Sequence, residues 1–237
     1  MKIKDLFDLE EKIDNELAWR KKELTSIKVD VESSVTKEKS EQSRAIRSGI
    51  AMLYAHWEGA IKSIAEYYLI YVSGLNLKYG ELKSNFLAIA MKRSLNEFED
   101  TKKASMHNKL INDIYAKKNE ISKIPCKNII KTDSNLKMDI FKEITATIGI
   151  DDNPYMLKKM LIDNRLLGNR NKIAHGERIE MLDGISCVSD YIQLHITIVE
   201  LIDNFAQNIR EAARNEDYKS CSHRVWPLPC LPFSGLG

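Results

Sequence analysis

Only two prolines, Pro125 and Pro154, interrupt the first 226 residues of this chain; the other three, Pro227, Pro229 and Pro232, crowd into the last eleven. A proline inside a helix removes a hydrogen bond and clashes with the preceding turn. A chain so free of it, with ten glycines in 237 residues, can run helical over most of its length. The apolar residues use that freedom. Leu6, Leu9, Ile13, Leu17, Leu24 and Ile27 step by three, four or seven, the stripe of a first helix whose other face carries Arg20, Lys21, Lys22 and Glu23. Ile46, Ile50, Leu53, Trp57, Ile61, Ile64, Tyr68 and Val72 form a longer stripe, the mark of a central bundle helix, with Gly74 as its stop.

Between these two the segment from about Val31 to Ser43 reads as a charged, Ser-rich bridge. A shorter helix is predicted from Ser84 to about Glu99, and a weaker one from Met106 to Ile121. Past Pro125, Ser134 has the residue type of an N-cap for a helix carrying Leu136, Ile140, Phe141, Ile144 and Ile148 and closed by Gly149. Asp151-Asp152-Asn153-Pro154 opens the next helix, with proline in its first turn, running to His175 before Gly176. A last helix spans about Ser189 to Arg214. The expectation is an all-α, up-and-down bundle with additional lateral helices, one domain over 1–214 and a Pro-containing tail over 215–237.

Charge narrows the functional classes. The 36 basic and 34 acidic side chains leave a net +2, so any nucleic-acid surface has to be a local patch. The chain has no apolar run long enough for a bilayer and no signal-peptide core after Met1-Lys2-Ile3-Lys4-Asp5, which predicts a cytoplasmic protein. Cys126, Cys187, Cys221 and Cys230 form no C-x-x-C and read as reduced thiols. Cys221, His223 and Cys230 lack both a known finger spacing and a fourth zinc ligand. A Gly-rich phosphate loop and H-E-x-x-H are also missing, so ATP-driven and zinc-protease chemistry have no support.

The sequence stops looking generic at Leu166-Leu167-Gly168-Asn169-Arg170-Asn171-Lys172-Ile173-Ala174-His175-Gly176-Glu177. Asn171 and His175 are four apart, on one helix face; the long side chain of Arg170 can swing toward them. A histidine titrating near neutrality can move a proton as acid or base. An arginine beside it can clamp a phosphate and stabilise charge growing on its oxygens. Asn171 can orient either. The three groups suit attack of an RNA 2′-OH on its own phosphodiester without a metal or other cofactor. By spacing alone, the same residues also describe a surface pair or a helix cap.

Arg170-Asn171-x-x-x-His175 resembles the R-x(4–6)-H signature of HEPN domains, with the polar residue after the arginine typical of their nuclease members. Leu17-Ala18-Trp19-Arg20-Lys21-Lys22-Glu23-Leu24 and Leu53-Tyr54-Ala55-His56-Trp57-Glu58-Gly59 resemble blocks of one bacterial branch, often labelled RiboL-PSP-HEPN or MAE-type. The three blocks, in order, cover about 17 to 177. The resemblance implies a four- or five-helix bundle and a homodimer whose two motifs face each other across a shared cleft. It implies cleavage to a 2′,3′-cyclic phosphate and a 5′-OH, and a role as toxin or in anti-phage defence beside an antitoxin or partner protein. Some HEPN toxins carry a modifiable Tyr two residues after the His; Glu177 stands there in this chain, which argues against that mode of neutralisation.

Supporting candidates have bland alternatives. His56, beside the small residues Gly49, Gly59, Ala60 and Ser63, is either a second polar group in the cleft or a buried histidine with one hydrogen bond. Glu58 either pairs with Arg170 or Arg165 or is a surface acid; Glu177 either orients His175 or is a solvated loop residue. Lys172, Arg165 and Arg178, with Lys158 and Lys159 nearby, form an RNA-phosphate patch or a solvated helix face. Tyr191 and His195 read as core or groove lining. Two functions stay open: a metal-independent endoribonuclease, or a non-catalytic HEPN module binding RNA, a nucleotide or a partner protein. The second predicts a buried motif helix or histidines held far apart in the dimer.

Overall fold

The computed structural model describes residues 2–99 and 103–220, which are helical with no strand beyond two isolated bridges, Lys78 to Ile121 and Leu82 to Lys219. The helices are α1 (Leu6–Ser33), α2 (Lys39–Gly74), α3 (Ser84–Ala90), α4 (Lys92–Glu99), α5 (Ala104–Lys117), α6 (Met138–Ile148), α7 (Asn153–Met156), a π-helix (Leu161–Gly168), α8 (Asn169–Ala174) and α9 (Val188–Arg214). Among them no helix is long and apolar enough to cross a membrane.

Three long helices, α1, α2 and α9, pack on one another and make the core. The predicted stripes are what they bury: Leu9, Ile13, Leu17 and Leu24 from α1, Ile46 through Val72 from α2, and Tyr191, Leu194, Ile198 and Phe205 from α9. The α1–α2 bridge is shorter than expected, because the Gln42 amide satisfies the Val35 and Lys37 carbonyls at 3.1 and 2.9 Å and lets α2 begin at Lys39. Instead of one helix from Ser84 to Glu99 there are two, broken at Met91. This lateral group of α3, α4 and α5 has a small cluster of its own around Tyr79, Met91 and Leu110.

An aromatic group ties the segment before the motif to the bundle. Phe141 of α6 lies 5.7 Å from Trp57, 4.8 Å from Tyr155 and 5.8 Å from Phe205. Aromatic contacts of this kind add about 1 kcal/mol each beyond burial. After α9, residues 215–220 are non-helical and dock on the bundle: Tyr218 is buried, its carbonyl accepts from the Lys83 N–H at 2.8 Å, and the Ser220 N–H donates to the Glu81 carbonyl. Cys221, His223, Cys230 and the rest of the Pro-containing tail lie outside the described residues. Cys126 and Cys187 form no disulfide.

Candidate active site

The predicted helix from Pro154 to His175 is a segmented rod. Pro154 occupies the first turn of α7, and Tyr155 beside it is buried with its hydroxyl accepting from Asn208. The chain then widens into the π-helix, where the Asn169 N–H donates to the Asn164 carbonyl five residues back. A π segment rotates the faces of the downstream helix by about one residue and recurs at functional sites. Asn169, wholly buried, fixes the change: its amide donates to the Arg165 and Asp183 carbonyls at 2.9 and 3.0 Å and accepts the Asp183 N–H at 2.7 Å.

Arg170 is the next residue. Its guanidinium lies 4.0 Å above the ring of Tyr54 on α2, and Nη2 donates to the Ser134 carbonyl at 2.9 Å. Tyr54 is itself pinned, its hydroxyl accepting the Leu136 N–H at 2.7 Å. Burial pushes the Tyr54 phenol up, so the ring remains a neutral platform. Asn171 reaches the same loop through a long 3.4 Å contact with the Asn135 side chain. Sequence reading missed Tyr54, Ser134, Asn135 and Asn169 as site residues. Tyr54 sits in a motif block, yet only the fold shows that its ring meets Arg170.

His175 is the C-cap of α8 and is exposed. The Gly176 N–H donates to the Ile173 carbonyl and the Glu177 N–H to the Lys172 carbonyl, both at 3.0 Å, the Schellman pattern that ends a helix. It requires a left-handed residue at Gly176, whose φ is +83° with open space around it. The imidazole is left facing solvent at the end of the helix that holds Arg170.

The supporting residues separate. Glu58 pairs with neither Arg170 nor Arg165, though its charge acts on Tyr54. The Glu177 carboxylate makes no bond to His175; its backbone forms the cap. Lys172 bonds the Asp183 carboxylate at 3.0 Å and the Met181 carbonyl at 2.8 Å, and Arg165 the Gly184 carbonyl at 2.6 Å, so both hold the 181–184 loop rather than an open patch. Lys159 is tied to Asp139. Arg178 is exposed.

His56 turns away from the motif, because two residues of helix carry it to the far side of α2 from Tyr54. It is buried against α1, with Nδ1 3.4 Å from Arg20 Nη1 and Nε2 3.1 Å from the Glu23 carboxylate, off the line of a good hydrogen bond. Arg20 can only donate, so Nδ1 is the bare nitrogen and the proton is on Nε2. Burial, then the Arg20 charge, lowers the basicity of this imidazole. Arg20 is paired with Glu16 at 2.6 Å, where burial works to raise the carboxyl and the Arg20 bonds outweigh it. The small face of α2 serves these contacts: a Cβ at Gly59 would meet the Arg20 guanidinium at 2.7 Å and one at Gly49 the Tyr191 ring at 2.8 Å. His195 also faces α1, its Nε2 3.1 Å from the Leu24 carbonyl, and burial lowers its basicity. Two of the three motif-like blocks thus meet each other through Arg20 and His56, and the third meets the second where Arg170 lies over Tyr54. Among the described residues no three His, Cys, Asp or Glu side chains gather as a metal site.

A family model described as RiboL-PSP-HEPN matches residues 15–211. No curated protein and no solved structure matches the chain.

Proposed function

The chain belongs to the RiboL-PSP-HEPN family, and from that premise we propose that it is a metal-independent endoribonuclease acting through Arg170, Asn171 and His175. The observation that carries this reading is the pairing of a pre-positioned Arg170 over Tyr54 with an exposed His175 at the end of the same short helix. The non-catalytic alternative calls for a buried motif or for histidines held far apart in the dimer.

In the reaction, neutral His175 takes the proton from the RNA 2′-OH, whose oxygen attacks the adjacent phosphorus. The bond to the 5′-oxygen breaks, and that oxygen takes a proton from an imidazolium. Arg170 bonds the non-bridging oxygens as their charge grows, and Asn171 orients them. The products are a 2′,3′-cyclic phosphate and a 5′-OH. Base and acid are two groups. Among the described residues one copy brings only His175 to the site, since His56 and His195 face α1 and His107 lies on α5, a helix that packs on α4 and the 79–81 turn. A homodimer that brings two motifs together supplies the second imidazole. A self-contained RNA-cutting activity of this kind suits a toxin or an anti-phage defence protein restrained by a partner.

Arg170→Ala and His175→Ala should each slow cleavage by roughly 10²–10⁴; His175→Ala should leave the melting temperature unchanged, whereas Arg170→Ala should lower it as the contacts with Tyr54 and the Ser134 carbonyl are lost, and light scattering should give the mass of two chains. Cutting at the wild-type rate by either variant contradicts the assignment, and full activity from a monomer contradicts the composite site.

A further inference from the structure

Beside the motif, between the start of α2 and the loop after α8, is a cleft of about 460 Å³ lined by Lys39, Ser40, Ser43, Arg47, Arg178 and Ser186 among others. Its three cations face a single lining carboxylate, Glu180. Cations in such a cleft ordinarily find a carboxylate. Here the Arg47 Nε has no hydrogen-bond partner, so that part of the guanidinium is not committed to another protein group. The first turn of the 36-residue α2 opens into the same space, adding N–H groups that have no partner within the helix and a favourable field for an anion. Ile46 and Ile179 give the cleft an apolar wall.

The cleft is in line with the motif. Arg47 is seven residues before Tyr54, on the same face of α2 and about 10 Å along its axis. Tyr54 lies under Arg170, while Arg47 shares the cleft with Arg178. The chain from Arg170 to Arg178 therefore runs back along α2 from motif to cleft, with His175 between.

We propose that this cleft seats a backbone phosphate of the RNA strand flanking the one that is cleaved, gripped by Arg47 and Arg178 with Lys39 beside them. The identity of the strand rests on the ribonuclease reading; the anion follows from the cleft itself. The seat fixes which phosphate reaches His175, and makes Arg47 and Arg178 positioning residues.

The test is fluorescence anisotropy of a labelled single-stranded RNA octanucleotide on the full His175→Ala chain over a salt series, repeated with Arg47→Gln or Arg178→Gln added. Each should weaken binding by about tenfold, the size of one lost charge-assisted contact, and flatten the salt slope by about 0.7. Unchanged affinity and slope in both overturn the proposal. If Arg47→Gln fails to fold by thermal melt, Arg178→Gln on its exposed loop decides alone. Wild-type cleavage is measured in parallel. A wild type that does not cut, with both variants weakened, removes the nuclease and keeps the seat; a wild type that cuts, with both variants unchanged, removes the seat and keeps the nuclease.

Discussion

At the junction of the π-helix and α8, the Asn169 amide uses three hydrogen bonds to join two parts of the chain fourteen residues apart. No part of that side chain is exposed, so nothing but protein can satisfy its partners. Asn169→Ala would strand two carbonyls and the Asp183 N–H, which costs about 1–3 kcal/mol. Thermal melts should show that loss together with faster proteolysis of the 178–184 loop. An unchanged melt would mean that water replaces the amide. Gly176 and Tyr54 act at the same scale: the one turns the chain so that His175 ends in solvent, the other gives Arg170 a fixed face to lie on.

Elements differ in how plainly the sequence announces them. The stripes of α1, α2 and α9 were legible because no proline breaks them and their residues pack into one core shared by the three long helices. The start of α6 was not. Ser134 has the chemistry of a cap, but it adopts φ +54° in a turn whose carbonyl receives Arg170. The side chain that caps α6 is Asp163, 25 residues on, accepting the Met138 N–H at 2.7 Å. Removing a capping carboxylate costs about 1 kcal/mol, so Asp163→Ala should lower stability by that amount and loosen amide protection at the first turn of α6. Protection equal to wild type would show that the cap is dispensable. The π-helix was equally hidden, since apolar spacing cannot tell a bond to the fourth residue back from one to the fifth. Arg170, Asn171 and His175 could be picked out together because they share six residues of chain. The Ser134 carbonyl that holds Arg170 could not, because a backbone acceptor has no residue type. His56 looked like a neighbour of the site only while its helix face was unknown.

For the whole molecule, two buried imidazoles link stability to pH. Burial lowers the basicity of His56 and His195 below the ordinary 6.5, so the folded chain holds them neutral while the unfolded chain binds their protons. Stability is then full above about 6.5 and is lost as pH falls toward the folded values. The melting temperature should drop between pH 7.5 and 5.5, and less steeply in His195→Gln; a flat profile over that range contradicts the neutral assignment. Among the described residues, the same bundle that buries these two histidines leaves one imidazole, His175, at the motif, which is why the proposed reaction calls for a second copy. The most direct measurement is to incubate RNA with the purified full chain in EDTA and identify the product ends, with His175→Ala alongside. Wild type should leave 2′,3′-cyclic phosphate and 5′-OH ends, and the variant should leave the RNA intact. Ends bearing 3′-OH and 5′-phosphate, or equal cutting by His175→Ala, would contradict the proposed reaction.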